Sequence, residues 1–517
     1  MRSFIYRSGF ALIVLVALFV RVVQLDQRVL HNDEANQIVR AGRLLEGDSY
    51  RYDPEEHHGP TLYYLALPLA WLTAGREFAA TSEWTYRLLP ALCGVGVLLL
   101  LLLLWDGIGR GAVLAAAALM AASPAMVYYS RFFIQETLLL LFTVGAITCG
   151  WHYCSRRTAP RAIATGVFLG LMHATKETCI IAYACMGAAL LIVVAFKVKS
   201  GLTLDLKLTC RHALYMALAA LGVASILFSS FGVNPAGIWH SFATYLGYVH
   251  KGLGENSDHV HPFTFYLRML IGQRSGGLFW SEWVIMLPGA IGMLLVATSS
   301  RLIKQVDRGL GRFLVFYTLL MTLAYSLIPY KTPWCMLSFL HGWIILAGIG
   351  ITGLFNVSRH PLARIIVLVL LAGGMGFLAR QVQRTSFRYG ADARNPYAYS
   401  HTVSDHLNLV QRINDVTALQ AAGRQTPIAV VTNPEDAWPL PWYLRAYPNT
   451  GYWNDVASLP APFAPALIVA SLDREAEVAT LTGERYISEY WGLRNEVLLA
   501  LYIRRDLWDR FMESRQP

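Results

Sequence analysis

The chain has 517 residues, of which 55% are hydrophobic and only 15% are charged. An average soluble protein is roughly 25% charged, so this composition excludes a soluble globular protein and indicates an integral membrane protein. The formal net charge of +10 does not indicate a nucleic-acid partner, because the basic residues stand in short blocks between apolar segments, as topology signals do. The seven cysteines form no CxxC pair, which argues against a disulfide framework or a cysteine zinc site.

Apolar stretches of about 20 residues, enough to cross the hydrocarbon core, recur along the first three quarters of the chain. The first follows a basic start and lacks a small-x-small cleavage site, so we expect a retained anchor. Eleven transmembrane helices are predicted, at 8–24, 87–105, 111–129, 134–152, 161–175, 178–196, 212–230, 282–299, 312–329, 333–354 and 363–380.

The loops between the predicted helices differ in charge. Alternate loops carry the arginines and lysines, and the positive-inside rule places these loops in the cytoplasm. The other loops and the chain after residue 380 should then face the periplasm or the cell exterior. The segment 61–75 is short and aromatic, so we expect it to lie along the outer surface as an interfacial helix.

The first part of the outer loop 25–86, residues 25–60, holds eight carboxylates, of which Glu46, Asp48 and Glu55 are interpreted as a solvated acidic surface. Asp33 and Glu34 differ because they closely follow the first helix, where an ionisable group is a functional candidate. Adjacent carboxylates repel each other, which favours a general base or a shared metal ion. Both are predicted to be catalytic, and Glu34 also to bind metal. The alternative for both is an ion pair with Arg40 or Arg131.

The stretch DPEEHHGPTLYYL, 53–65, concentrates carboxylate and imidazole groups beside a Gly-Pro turn. These ligand types suit zinc or manganese and, through carboxylates alone, magnesium. Adjacent histidines lack the i, i+4 spacing of a helical metal site, so outer-surface histidines that bind phosphate or solvent are the alternative. Glu56, His57 and His58 are predicted metal ligands, and His58 and Tyr63 are predicted to contact substrate.

The stretch YYSRFFIQETLLL, 128–140, joins two predicted helices at the outer face. Arg131 is predicted to hold a phosphate, and Glu136 to take a catalytic or metal-binding role. A lone arginine at this depth can also be an ordinary interfacial anchor.

Two further outer segments, HATKETC and PYKTPW, each place one lysine among apolar neighbours. Lys176 and Lys331 are predicted to hold lipid phosphate as point charges, with snorkelling to the interface as the alternative. The long loop 231–281 adds histidines, any of which could complete a metal site. Because all these segments fall on one side of the membrane, we expect a lipid-phosphate substrate rather than a soluble one.

Residues 381–517 differ from the rest of the chain. Three short β-like runs, at 427–433, 465–471 and 496–505, alternate with helix-compatible stretches such as 404–423. This alternation predicts a small α/β domain with a partly parallel sheet. It contains no GxGxxG motif or P-loop, so no nucleotide site is indicated.

In chain order, HNDEANQ, YDPEEHHGPTLYYL, RFFIQE, the lysine after a short helix, PYKTPW and WPLPWYLR resemble the GT-C membrane glycosyltransferases. The likeness is to the family of protein O-mannosyltransferases and lipid A aminoarabinose transferases (family 39), within its bacterial and archaeal flippase-activity-associated subgroup. It implies a GT-C-like polytopic α-helical membrane domain at 1–380, with juxtamembrane helices in its first outer loop, 25–86. It also implies an outer α/β soluble domain at 381–517.

The resemblance further implies an activity: inverting transfer of a sugar from a polyprenyl-phosphate donor to a lipid, glycan or protein acceptor at the outer face. Asp33 matches the acid proposed in that family as base or acceptor-orienting group, and Glu136 matches the acid after the third helix. A divalent metal ion (Mg, Mn or Zn) would assist, and Lys176, Lys331 and Arg131 would hold the phosphate. The alternative is a non-enzymatic helper or a transporter in polyprenyl-linked glycan export, acting with assembly or export proteins.

Overall fold

A computed structural model describes residues 2–54, 58–199, 206–252, 259–357, 360–460 and 464–515. The chain divides into two compact units. The membrane unit comprises Met1–Leu25, Asp48–Pro68 and Arg87–Arg388. The C-terminal unit comprises Asp26–Gly47, Leu69–Tyr86 and Tyr389–Pro517. Two pieces of the first outer loop, which the sequence placed with the membrane domain, thus pack with the C-terminal residues.

The regular elements follow one another along the chain. The α-helices are α1 (Arg2–Val22), α2 (Asn32–Glu46), α3 (Thr61–Ala74), α4 (Glu83–Leu101), α5 (Trp105–Ile108), α6 (Arg110–Ala122), α7 (Pro124–Tyr129), α8 (Glu136–Ser155), α9 (Ala159–His173), α10 (Cys179–Lys199), α11 (Leu206–Phe228), α12 (Ala236–Gly252), α13 (Phe265–Ile271), α14 (Trp283–Ala297), α15 (Arg308–Leu327), α16 (Leu337–Val357), α17 (Pro361–Val382), α18 (Asp405–Ala418), α19 (Leu440–Tyr443), α20 (Glu475–Thr482) and α21 (Arg505–Glu513). The strands are β1 (Gln273–Ser275), β2 (Leu278–Trp280), β3 (Ile428–Val431), β4 (Thr450–Trp453), β5 (Leu467–Ser471), β6 (Tyr486–Arg494) and β7 (Val497–Arg504).

Seven helical segments in the described part of the chain are long and apolar enough to cross a membrane. They are Glu83–Ile108, Glu136–Ser155, Cys179–Phe196, Lys207–Phe228, Arg308–Leu327, Pro333–Val357 and Pro361–Arg388. The apolar helices α3, α6 and α14 are shorter. The prediction of a polytopic helical membrane protein is confirmed, whereas the predicted total of eleven spans is not.

The predicted span 111–129 is a broken helix. α6 ends at Ala122 and α7 begins at Pro124, because Pro124 has no N–H to continue the helix and the Ser123 hydroxyl caps the second piece. Glu282, which the sequence analysis had not singled out, is fully buried against this break. Its carboxylate accepts hydrogen bonds from the Ser123 hydroxyl at 2.5 Å and from the Ala125 N–H at 2.9 Å. The start of α14 is thereby fixed to the break.

Helix α16 packs closely against its neighbours α6 and α14. A Cβ at Gly292 in α14 would collide with the Leu346 carbonyl oxygen, and a Cβ at Gly348 in α16 would collide with that of Ala112. Glycine at these positions lets the backbones approach closely, which is how membrane helices associate where lipid removes the hydrophobic driving force. This close packing forms the centre of the membrane unit.

The C-terminal unit contains a five-stranded sheet in the order β4-β3-β5-β7-β6. β3 runs parallel to β4 and β5, while β7 is antiparallel to β5 and β6. α18 and α21 cover one face with a core that includes Leu409, Ile413 and Phe511. The predicted partly parallel sheet is confirmed. β3, β5 and β7 lie in the three predicted runs, whereas β4 and β6 were not predicted.

A buried histidine in α18 should make this unit sensitive to acid. Neither ring nitrogen of His406 has a hydrogen-bond partner among the described residues, and burial, weakly opposed by Asp405, lowers the pKa of His406 to about 3. In the unfolded chain the value returns to about 6.5. The unfolded state then binds a proton that the folded state does not. His406 therefore does not lower the free energy of unfolding above about pH 6.5. Below that pH, its effect lowers this free energy by about 1.4 kcal/mol per pH unit.

We expect His406→Leu to remove this contribution. The change also removes two unpaired buried nitrogens, so stability at neutral pH should not fall. Thermal unfolding midpoints at about pH 7.5 and about pH 5 measure the effect. An equally large fall in wild type and variant would contradict the assignment to His406.

Candidate active site

In the C-terminal unit, the motif HNDE forms the start of α2. His31 is the N-cap residue: its Nδ1 accepts a hydrogen bond from the Asp33 N–H at 3.0 Å. The Glu34 carboxylate accepts from the His31 N–H at 3.3 Å and from Arg28 at 3.5 Å. These reciprocal bonds are a capping box, in which a histidine takes the usual place of Ser or Thr. The local sequence thus explains why a helix begins at Asn32.

The capping box gives the two adjacent carboxylates different environments. The Glu34 side chain is fully buried, whereas 45% of the Asp33 side chain is exposed. Glu34 therefore has a structural function in its helix cap. Asp33 contributes only its backbone N–H to the cap, and its carboxylate lies 3.9 Å from the His31 imidazole. Of the two predicted catalytic acids, Asp33 is the one whose carboxylate can reach a substrate.

In the membrane unit, two predicted site residues form a buried ion pair. Glu136 is the first residue of α8, where the helix dipole favours a carboxylate, and Lys176 lies between α9 and α10. The Lys176 ammonium donates a short hydrogen bond to Glu136, and the two residues are 7% and 4% exposed. Burial disfavours the charged amine, but the charge of Glu136 outweighs burial and raises the pKa of Lys176. The Lys176 amine is therefore charged at neutral pH.

The neighbouring residue, Glu177, is a site residue that the sequence analysis missed. Its carboxylate accepts hydrogen bonds from the His58 imidazole at 2.8 Å and from the Tyr52 hydroxyl at 3.0 Å. Burial alone would raise the pKa of Glu177, but His58 reverses this effect and lowers it to about 2. The Glu177 carboxylate fixes the orientation of the His58 ring, as an acid behind a functional histidine does.

The Gly-Pro turn positions His58 because it docks on the segment before Lys176. The Thr61 N–H donates to the Ala174 carbonyl at 3.2 Å, and the Thr61 hydroxyl donates to Thr175 at 2.8 Å. A Cβ at Gly59 would collide with the same Ala174 carbonyl, so only glycine permits this approach. The structure thus joins the HHGPT and ATKE motifs.

The Arg131 side chain binds the end of α1. Its guanidinium donates hydrogen bonds of 2.7–3.1 Å to four backbone carbonyls at the end of α1, those of Val20, Arg21, Val23 and Gln24. Such bonds satisfy the unpaired carbonyls of a helix C-terminus and complement its dipole. They favour the alternative interpretation of Arg131 as an anchor. Its predicted contact with phosphate remains untested.

Lys331, in the predicted outer loop 329–334, binds the backbone of the predicted outer loop 231–281. Its ammonium donates to the carbonyls of His261, at 3.0 Å, and Ile328, and its backbone N–H donates to His259 at 2.9 Å. Burial lowers the pKa of Lys331. No carboxylate pairs with its ammonium in the part of the chain that the structure describes. Carbonyls do not neutralise a cation, so an anion such as phosphate would be a favourable neighbour.

The Lys331 loop continues toward the ion pair. Cys335, which contacts the Thr332 hydroxyl at 3.3 Å, is near enough to Lys176 and Glu136 to interact with both charges. Residues from 58–61, 136, 174–177 and 331–335 thus lie in one region of the membrane unit. Tyr63 is fully buried, with its ring 5.2 Å from that of Tyr50, and its predicted contact with substrate stays a prediction.

The described residues do not fit the predicted metal ion. Glu136 is paired with Lys176, and His58 with Glu177. No group of three or more His, Cys, Asp or Glu side chains within the described ranges could hold a metal. Glu56 and His57 lie outside the described residues, so their predicted ligation remains a prediction.

One family model matches part of the chain. Residues 61–239 match the family model described as dolichyl-phosphate-mannose-protein mannosyltransferase. Among curated proteins, none is significantly similar to this chain in sequence.

Three solved structures share the fold. ArnT from Cupriavidus metallidurans bound to undecaprenyl phosphate is 15% identical, with a TM-score of 0.62 over 96% of this chain and 98% of that one. The oligosaccharyltransferase AglB from Archaeoglobus fulgidus, in complex with an inhibitory peptide and a dolichol-phosphate, is 13% identical, with a TM-score of 0.58 over 96% of this chain and 74% of that one. The same oligosaccharyltransferase in complex with Zn and sulfate has 13% identity and a TM-score of 0.57 over 97% and 75% of the two chains. The resemblance inferred from the motifs is confirmed at the level of architecture: this chain has the fold of the GT-C membrane glycosyltransferases.

Proposed function

We propose that this protein transfers a sugar from a polyprenyl-phosphate donor to a lipid, glycan or protein acceptor at the outer face of a bacterial or archaeal cytoplasmic membrane. The observation that carries the proposal is a region of the membrane unit where Lys331, the Lys176–Glu136 ion pair and the Glu177-oriented imidazole of His58 are held by motifs far apart in sequence. The polyprenyl phosphates in the ArnT and AglB structures support the same substrate class.

The reaction is a single displacement with inversion at the anomeric carbon. The acceptor hydroxyl forms the new bond to that carbon while the bond from the carbon to the phosphate oxygen breaks. The electron pair leaves on the phosphate, and the hydroxyl proton passes to Asp33 as general base. Lys331 and His58 would stabilise the charge that develops on the departing phosphate. Glu136 holds the Lys176 ammonium in place.

The test is release of polyprenyl phosphate from a polyprenyl-phosphate sugar by the purified full chain in lipid nanodiscs. We expect Lys331→Gln to raise the KM for the donor by about 10-fold or more, because a charged hydrogen bond contributes about 1.5–3 kcal/mol. Lys304→Gln, at an exposed lysine, should leave the KM unchanged. No release by wild type with any donor tried would contradict the proposal and favour a non-enzymatic role in glycan export.

A further inference from the structure

The short helix α19, in the motif WPLPWYLR, binds both pieces of the first outer loop that belong to the C-terminal unit. The Tyr443 hydroxyl accepts a hydrogen bond from the Leu30 N–H at 2.9 Å. On the same helix, the Trp442 indole N–H donates to Glu83 at 2.9 Å. Arg445, just after it, donates to the Thr81 carbonyl at 2.7 Å. This motif is therefore a docking element for the loop.

A second contact reaches the cap of α2. His31 Nε2 lies 3.2 Å from the Tyr399 carbonyl oxygen, which can only accept, so this nitrogen carries the proton. Nδ1 is then the acceptor for the Asp33 N–H. The Tyr399 carbonyl thus selects the tautomer of His31 that caps α2.

These contacts fix where α2 begins, and the start of the helix fixes the direction of the Asp33 side chain. Successive residues of an α-helix are rotated by about 100° around its axis. Without the cap the first turn of α2 would fray, and the Asp33 carboxylate would lose its fixed direction. The backbone of Leu30 and the ring of His31, both buried, hold the register.

We propose that Tyr443 is a positioning residue for catalysis: together with the Tyr399 carbonyl, it holds residues 30–33 so that Asp33 meets the acceptor hydroxyl. This inference rests on the proposed function, because it assumes that Asp33 is the base. It gives the C-terminal residues a role in the chemical step.

The experiment compares Tyr443→Phe with Tyr447→Phe in the full chain. Tyr447 is a matched control because its hydroxyl is also hydrogen-bonded, to Thr417 at 2.8 Å and Asn414 at 2.6 Å, but within the C-terminal residues alone. Two measurements are needed: amide hydrogen exchange of the peptide containing Leu30 to Asp33, and kcat and KM for the donor.

We expect Tyr443→Phe to speed exchange in this peptide and to lower kcat by about 3- to 10-fold, with KM for the donor unchanged, as loss of one hydrogen bond implies. Tyr447→Phe should change neither, even if it lowers the thermal midpoint as much. Unchanged exchange in Tyr443→Phe would overturn the inference. So would faster exchange with unchanged kcat in a chain that Asp33→Asn inactivates. Full activity of Asp33→Asn would instead overturn the proposed role of Asp33, and the exchange result would stand by itself.

Discussion

Glu136→Gln is expected to destabilise the membrane unit by about 3–5 kcal/mol, because it leaves the buried Lys176 ammonium without its counter-charge. Removing both charges should be milder, since the double variant Glu136→Gln/Lys176→Met leaves no unpaired charge in the interior. Thermal and denaturant unfolding in one detergent measure the stability of the wild type, of Glu136→Gln and of the double variant.

The exposed pair of Arg394 and Asp392 provides the control. The Arg394 side chain is 51% exposed and that of Asp392 is 32% exposed, so solvent screens the pair and Asp392→Asn should change stability by less than about 1 kcal/mol. If Glu136→Gln were as mild as Asp392→Asn, the Lys176 ammonium would have another counter-charge. The pairing would then not be what holds it in place.

Asp33→Asn is expected to lower kcat by about 10²- to 10⁴-fold, the usual contribution of a general base, without a change in thermal midpoint. Stability should be retained because the cap of α2 uses the backbone N–H of residue 33, and its side chain is 45% exposed. Rates of polyprenyl phosphate release at saturating donor, measured beside unfolding curves, test both parts.

Two neighbours provide the controls for Asp33→Asn. Asp26→Asn, at an exposed acid of the same loop, should leave both activity and stability unchanged. Glu34→Gln should lower stability, because the buried Glu34 carboxylate accepts two hydrogen bonds in the capping box. If Asp33→Asn lost stability and activity in parallel, as Glu34→Gln should, Asp33 would be a structural residue.

The membrane helices and the C-terminal sheet could be predicted because burial leaves a pattern in the sequence. β3, β5 and β7 are runs of apolar residues, which mark strands covered on both faces. β4 and β6 were missed for physical reasons. β4 is short and contains Gly451, and β6 is an edge strand with polar residues among its aromatics.

The candidate site was predicted less completely, because many of its contacts involve the backbone. Arg131 is bonded to carbonyls of α1, and Lys331 to carbonyls near His261, and backbone partners leave no trace in the side-chain sequence. Glu177 stands beside Lys176 in the motif HATKETC, yet only its contact with His58, 119 residues away, reveals its role. The capping box in HNDE could have been recognised from its Glu three residues after the cap.

The most direct test is a product balance with the purified full chain, a polyprenyl-phosphate sugar and a hydroxyl acceptor. Quantification of both products, with the anomeric configuration read by NMR, should give one polyprenyl phosphate for each sugar transferred, and the sugar should be inverted. Lipid that stays glycosylated, or that moves across the bilayer with its sugar intact, would contradict a transferase.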